Sequence, residues 1–370
     1  MKNTRLAALL FTVLAFANLC YAQVKERPVV IGYVGGYKGL INVNVSPKKL
    51  TVINYAFVDV KDNRAWLHRE ATDTVNFRRL NELKKQNPSL KVMISIGGWT
   101  WSGKFSDAVL TDTARAAFAA SAVDIVRKYD LDGVDIDWEY PSRPGLEGNV
   151  YRPEDKQNYT LLFRDLRHAL DSIAKQTNKK YLVTTAVGGF STFLDNTEMG
   201  KAQQYLDYIN LMTYDFGGDI AGHHTNLYNT KLYQTKNSSV NAVDGFIAAG
   251  VPVNKLVLGL AFYGRVYNVD SVAKRGIGGK IITRDRGRGY TEIRDSLINK
   301  NGYERYHDRR AKASYLYNSS KKQFITYDDD WSVKKKCRYV LTKGMAGVMF
   351  WEYSSDPKEY LLDEVNAVLK

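Results

Sequence analysis

Cysteine is nearly absent from this chain of 370 residues, which holds only Cys20 and Cys337. That excludes a disulfide-stapled scaffold. There are 8 prolines, with no tandem repeat and no low-complexity linker, so the chain is neither collagen-like nor disordered. No appended binding module is expected. After residue 22 no apolar run approaches the roughly 20 residues that a membrane-spanning helix needs. No basic block is longer than Lys334-Lys335-Lys336, and the formal charge of +14 is spread along the chain. Such a charge can attract nucleic acid or an anionic envelope, but its dispersion points to a solubilising surface and no nucleic-acid partner.

What is present is ordinary for a globular protein, 44% hydrophobic and 25% charged. A chain of this length can bury a full core without metals or staples. At about 100–200 residues per domain it fits two domains, or a single α/β barrel with an insertion. Aromatic residues make up 12%, including 25 Tyr and 6 Trp, enough for stacking surfaces as well as core.

The N-terminus reads as an export leader. Lys2 and Arg5 form a short basic region, residues 6–19 are almost purely apolar, and Cys20-Tyr21-Ala22 precedes Gln23 with small residues where a signal peptidase reads. A cleaved leader over residues 1–22 is therefore expected, for a secreted or periplasmic protein. A lipid on Cys20 is the alternative, disfavoured by bulky Leu19 where a lipoprotein leader wants a small residue. Cleavage would leave Cys337 without a partner, and stability would rest on packing.

Eight apolar runs recur, over residues 29–34, 51–58, 90–96, 133–139, 181–187, 208–213, 256–262 and 346–351. Near-continuous apolar runs of this length are expected of strands buried on both faces of a parallel sheet. Helical patterns lie between them: 76–86 before Pro88, 111–129 with Thr111-Asp112 as a cap, 155–175, and 240–249 ending at Gly250. Strand alternating with helix eight times predicts a (β/α)8 TIM barrel. An open doubly wound sheet is the runner-up, but no glycine-rich phosphate loop follows the first run. The last two runs begin far apart, at 256 and 346. The stretch between carries strand-like pieces at 280–283 and 323–327 around a helix-like 291–299. A small α+β insertion over 266–327 is expected, with the barrel formed by 23–265 and 328–370.

Active sites of such barrels form at the C-terminal ends of the strands. The third run ends Ser95-Ile96-Gly97-Gly98-Trp99, the sixth Met212-Thr213-Tyr214-Asp215, the eighth Phe350-Trp351-Glu352. The fourth reads Asp132-Gly133-Val134-Asp135-Ile136-Asp137-Trp138-Glu139-Tyr140-Pro141. Alternation along a strand puts Asp135, Asp137 and Glu139 on one side, the barrel interior. Three carboxylates are costly to bury there, so at least one pKa rises and a proton is shared. Glu139, nearest the rim, could then act as general acid. A solvated acidic edge would not place Val134, Ile136 and Trp138 between the acids. A hard metal ion is the other alternative, but His68, His168, His223, His224 and His307 lie away from the strand ends, and no metal is expected. Asp132 is out of register and reads as a structural partner of backbone N–H groups at the strand entrance. The segment Arg284-Asp285-Arg286-Gly287-Arg288-Gly289 reads as a surface turn.

The fourth run resembles the signature of glycoside hydrolase family 18, the chitinases and their relatives: Asp-x-x-Asp-x-Asp-x-Glu followed by Tyr-Pro. Ser-x-Gly-Gly-Trp, Met-x-Tyr-Asp and Trp-Glu match in order. Tyr263-Gly264-Arg265 resembles the opening of the family's α+β insertion, and the likeness spans essentially the whole mature chain. The resemblance implies substrate-assisted retaining hydrolysis. Glu139 would be the acid and base, and the substrate's acetamido carbonyl the nucleophile, forming an oxazolinium ion. Asp137 would hold the acetamido N–H, with Asp135 behind it sharing the proton. Tyr214 would bind the acetamido oxygen, and Asp215 the distorted sugar. Trp351 would floor the cleavage subsite beside Trp99, Tyr33 and Phe57, and the same motifs put Gly98, Met212, Tyr140 and Arg265 among the substrate contacts. Trp66, Trp101 and Trp138 read as core or loop. The implied substrate is chitin or N-acetylglucosamine oligosaccharide, with no cofactor and a monomeric enzyme. An endo-β-N-acetylglucosaminidase and a non-catalytic chitin-binding lectin are the alternatives.

Overall fold

In the computed structural model, residues 27–38, 40, 44–270 and 273–370 are described. The leader expected over residues 1–22, with Cys20, lies outside them. Fourteen strands follow in chain order: β1 Val29–Gly35, β2 Val52–Lys61, β3 Arg64–Trp66, β4 Lys91–Gly97, β5 Gly133–Asp137, β6 Leu182–Gly188 and β7 Tyr208–Met212, then β8 Leu256–Ala261, β9 Tyr263–Val269, β10 Ile281–Gly289, β11 Glu304–Asp308, β12 Ala313–Asn318, β13 Gln323–Tyr327 and β14 Gly347–Trp351.

The eight expected runs supply β1, β2, β4, β5, β6, β7, β8 and β14. These pair in parallel in the order β1-β14-β8-β7-β6-β5-β4-β2, and β1 pairs with β2 to close the barrel. Alternation along each strand divides the apolar residues between two clusters. Val134, Ile136, Val183, Val187, Leu258 and Phe350 face outward into the large core beneath the helices. Ile31, Met93, Ala186, Val257 and Met349 fill the barrel interior.

The helices begin and end where local chemistry allows. Thr111 caps Asp112–Lys128 by accepting the Ala114 N–H at 3.1 Å. Ser238 caps Ser239–Ala248 in the same way, accepting from Asn241 at 3.2 Å, and Gly250 follows with φ of +90°. The first helix, expected from residue 76, already starts at Glu70. Its first turn is polar, and buried Asp73 there accepts the Tyr55 hydroxyl at 2.6 Å, a tertiary bond that periodicity does not reveal.

Between β8 and β14 the chain builds a second, antiparallel sheet in the order β10-β9-β13-β12-β11. Its helix is Tyr290–Ser296. The segment Arg284–Gly289, expected as a surface turn, belongs instead to β10, an edge strand paired with β9. Among the described residues, no helix is long and apolar enough to cross a membrane.

Candidate active site

Asp135 sits in the middle of β5 with Ser95 of β4 and Thr184 of β6 as its register partners. Both hydroxyls donate to its carboxylate, at 2.7 and 2.5 Å, as do the Tyr33 hydroxyl at 2.9 Å and the Asn210 amide at 3.3 Å. Burial pushes the Asp135 carboxyl up, and these four donors oppose it. Asp137, two residues nearer the rim, is also buried, but its Oδ1 has no hydrogen-bond partner. Burial, then the charges of Glu139 and Asp135, hold its carboxyl well above the usual range. This favours a proton shared within the row.

Glu139 lies two residues beyond the end of β5 and is partly buried. Burial raises its pKa to about 7, with a hydrogen bond from Tyr140 opposing and the charge of Asp215 adding to the rise. A carboxyl poised there can both give and take a proton near neutrality. Its backbone is fixed by Ser102, whose hydroxyl accepts the Glu139 N–H at 2.9 Å and lies 2.8 and 3.1 Å from the carbonyls of Gly98 and Asp137. Gly98 has φ of +76°, and a Cβ there would lie 2.5 Å from the Phe57 ring. The peptide bonds Ala56–Phe57, Glu139–Tyr140 and Trp351–Glu352 are cis.

Tyr214 and Asp215 follow β7. Burial, then the charges of Asp137, Asp215 and Glu139, keep the Tyr214 phenol protonated, a donor beside the acids. Its hydroxyl reaches the Met349 sulfur at 3.7 Å. Asp215 takes a bidentate pair from Arg265 at 2.7 and 2.6 Å. Burial alone would raise the Asp215 carboxyl, but His224 and Arg265 outweigh it and hold it well below the usual carboxylate range. Asp215 is therefore an anion.

Aromatic rings line the approach. Phe57 stacks on Trp351 with centroids 5.4 Å apart, and Trp99 stands on the rim, 48% exposed, with Tyr140 6.5 Å away. Met212 packs in the interior cluster beside Phe57, Tyr214 and Trp351. Tyr33, expected beside the tryptophan floor, is only 2% exposed; its ring lies 5.9 Å from Trp351 and its hydroxyl serves Asp135. Arg265 reaches the site as the partner of Asp215. From Asp215, Tyr263 and Trp351 a groove of about 620 Å³ runs along the insertion toward Arg286 and Asp295.

Residues outside the site also find their places. Trp138 is buried and stacks on Phe105 at 5.2 Å. Trp66 and Trp101 flank His68 at 5.2 Å each. Asp132 accepts the Val92 N–H at 2.8 Å and pairs with Lys84 at 2.5 Å, the structural role its register suggested.

Sequence reasoning missed the roles of Ser95, Thr184, Asn210, Ser102 and His224. Three of them are polar residues inside apolar strand runs, which is the signal that could have found them. His224, placed away from the strand ends, comes within 3.4 Å of Asp215 because the loop after β7 folds back.

Carboxylates graded from buried to rim along one strand, at the C-terminal mouth of a (β/α)8 barrel beside an aromatic groove, define a barrel built for acid and base chemistry. The chain belongs to the glycosyl hydrolases family 18, which it matches over residues 29–356. It is 45% identical to chitinase A1 of Niallia circulans over 96% of its own length and 54% of that protein's. It is 36% identical to endochitinase 1 of Metarhizium robertsii, covering 75% of this chain and 65% of that one. The chain thus spans between half and two thirds of these curated relatives. A solved family 18 N-acetylglucosaminidase from Paenibacillus barengoltzii superposes with a TM-score of 0.86 at 40% identity, covering 92% of this chain and 99% of that one.

Proposed function

We propose that this protein is an exported chitinase, hydrolysing β-1,4-linked N-acetylglucosamine polymers with retention at the anomeric carbon. The observation that carries this reading is the buried, unpartnered Oδ1 of Asp137 beside a Glu139 poised at about 7. A buried carboxylate oxygen without a partner is costly, and a substrate amide N–H would supply the missing bond. The family and its chitinase relatives support the same substrate. The leader pattern over residues 1–22 supports export.

The row carries the proton transfers. Glu139 gives its proton to the glycosidic oxygen as the bond to the anomeric carbon breaks. The acetamido carbonyl oxygen of the same sugar attacks that carbon from the opposite face, forming an oxazolinium ion. The proton shared within the row moves to Asp135, and anionic Asp137 then accepts the acetamido N–H and faces the developing positive charge. Tyr214 donates to the acetamido oxygen, and Asp215 holds the sugar. Glu139, now a base, takes a proton from water as the oxygen attacks the anomeric carbon and opens the ring. Trp351, with Phe57 behind it, offers a flat apolar face to an uncharged polymer.

A second reading has a specific support: the Paenibacillus barengoltzii relative of matching length is an N-acetylglucosaminidase. Product sizes from N-acetylglucosamine hexamer separate the two. Dimers and trimers as first products support the chitinase, and monomer alone supports the exo-acting enzyme. No cleavage, with binding intact, would overturn both.

A further inference from the structure

We propose that His224 is a positioning residue for Asp215, forming the buried half of a clamp whose groove-side half is Arg265. The proposal rests on the reading of Asp215 as part of the glycan site. Arg265 occupies both carboxylate oxygens from the groove, and its own side chain is 44% exposed. His224 approaches from the opposite side and is fully buried, with Nδ1 at 3.4 Å from Asp215 Oδ1. Neither ring nitrogen of His224 has a hydrogen-bond partner, so Asp215 is the acceptor within its reach. A shift of a few tenths of an ångström would turn the contact into a hydrogen bond.

The ring is placed from three sides. The His224 N–H donates to the Thr326 hydroxyl of the insertion at 3.0 Å, and its carbonyl accepts from Phe216, the residue after Asp215, at 3.0 Å. Its ring packs on Tyr263 with centroids 5.3 Å apart. The charged and titratable groups around it are Asp215, Arg265, Asp328 and Tyr263; Asp328 is itself neutralised by Lys336 at 2.7 Å. Burial lowers the His224 pKa, and Asp215 opposes that. Burial thus favours the neutral imidazole, which carries one N–H donor.

Asp215 lines the groove, where its carboxylate is open to competitors. Sugar hydroxyls arriving from the groove compete with Arg265 for the carboxylate, whereas the imidazole behind it is out of their reach. His224 therefore keeps Asp215 oriented and anionic while substrate displaces part of the arginine contact.

Four variants test this: His224→Leu and His224→Ala, which remove the donor; His224→Asn, whose amide nitrogen replaces Nδ1; and His224→Leu in an Asp215→Asn background. Two readouts are taken, kcat/KM on N-acetylglucosamine oligomers at neutral pH and the 13C chemical shift of the Asp215 carboxyl. Leucine should lower kcat/KM about tenfold and displace the Asp215 resonance. Asparagine should restore both, and in the Asp215→Asn background leucine should cost no further activity. An unchanged kcat/KM and resonance in folded His224→Leu would overturn the proposal. Should that variant fail to fold, a loss in His224→Asn as large as in His224→Ala would overturn it equally. A wild type that cleaves no oligomer refutes the functional reading alone, since the Asp215 resonance still decides the role of His224.

Discussion

Replacing Glu139 by glutamine should make the folded protein more stable above neutral pH while removing its chemistry. Glu139 is raised from 4.5 to about 7, chiefly by burial. A carboxyl raised on folding contributes stability that is complete below the unfolded value and is lost as pH rises through the folded one. Here the window runs from 4.5 up to about 7. Over it the ionising side chain costs the fold about 3 kcal/mol, at about 1.4 kcal/mol per unit. Glutamine cannot ionise and escapes that cost. It also alters the hydrogen bond with Tyr140, an offset of about 1 kcal/mol that does not vary with pH. The pH slope is therefore the test. Urea unfolding of wild type and Glu139→Gln at pH 4.5, 6 and 8 should show a difference that grows by about 3 kcal/mol in favour of the variant across the series. A constant difference, or one that widens toward acid, would refute the reasoning that burial holds this acid protonated.

Three further outcomes follow from particular contacts. In Ser102→Ala the Glu139 N–H loses its acceptor; kcat should fall about tenfold with KM little changed, as expected when only the acid is misplaced. Gly98→Ala forces a Cβ into a left-handed residue against the Phe57 ring, so calorimetry should show oligomer affinity weakened about tenfold as Phe57 moves from Trp351. Lys336→Met leaves Asp328 charged and buried without its partner at 2.7 Å, and urea unfolding should show a loss of about 3–5 kcal/mol.

The barrel was legible because its strands are apolar on both faces, so eight runs stood out against helices patterned on one face. The insertion was less so. β13 and part of β10 read as strands, but β9, β11 and β12 mix Tyr with polar residues, and β9 finds β13 only across more than fifty residues. The acids were visible through their period-2 spacing on β5. Their supports were not: Ser95, Thr184 and Asn210 look like stray polar residues in apolar strands until the register brings them to Asp135. Tyr33 lies beside Trp351, but its burial and its bond to Asp135 were not legible, since a sequence gives the strand end and not how far a ring is covered. His224 depends on a loop that folds back on itself, which no local pattern marks.

The central claim is that Glu139 drives retaining hydrolysis through the substrate's own acetamido group. It is tested most directly by proton NMR of the first products released from N-acetylglucosamine oligomers by wild type and Glu139→Gln. Wild type should release β-anomer before mutarotation, and the variant should still bind but release almost no product. Initial α-anomer, or a variant that keeps its rate, would contradict it.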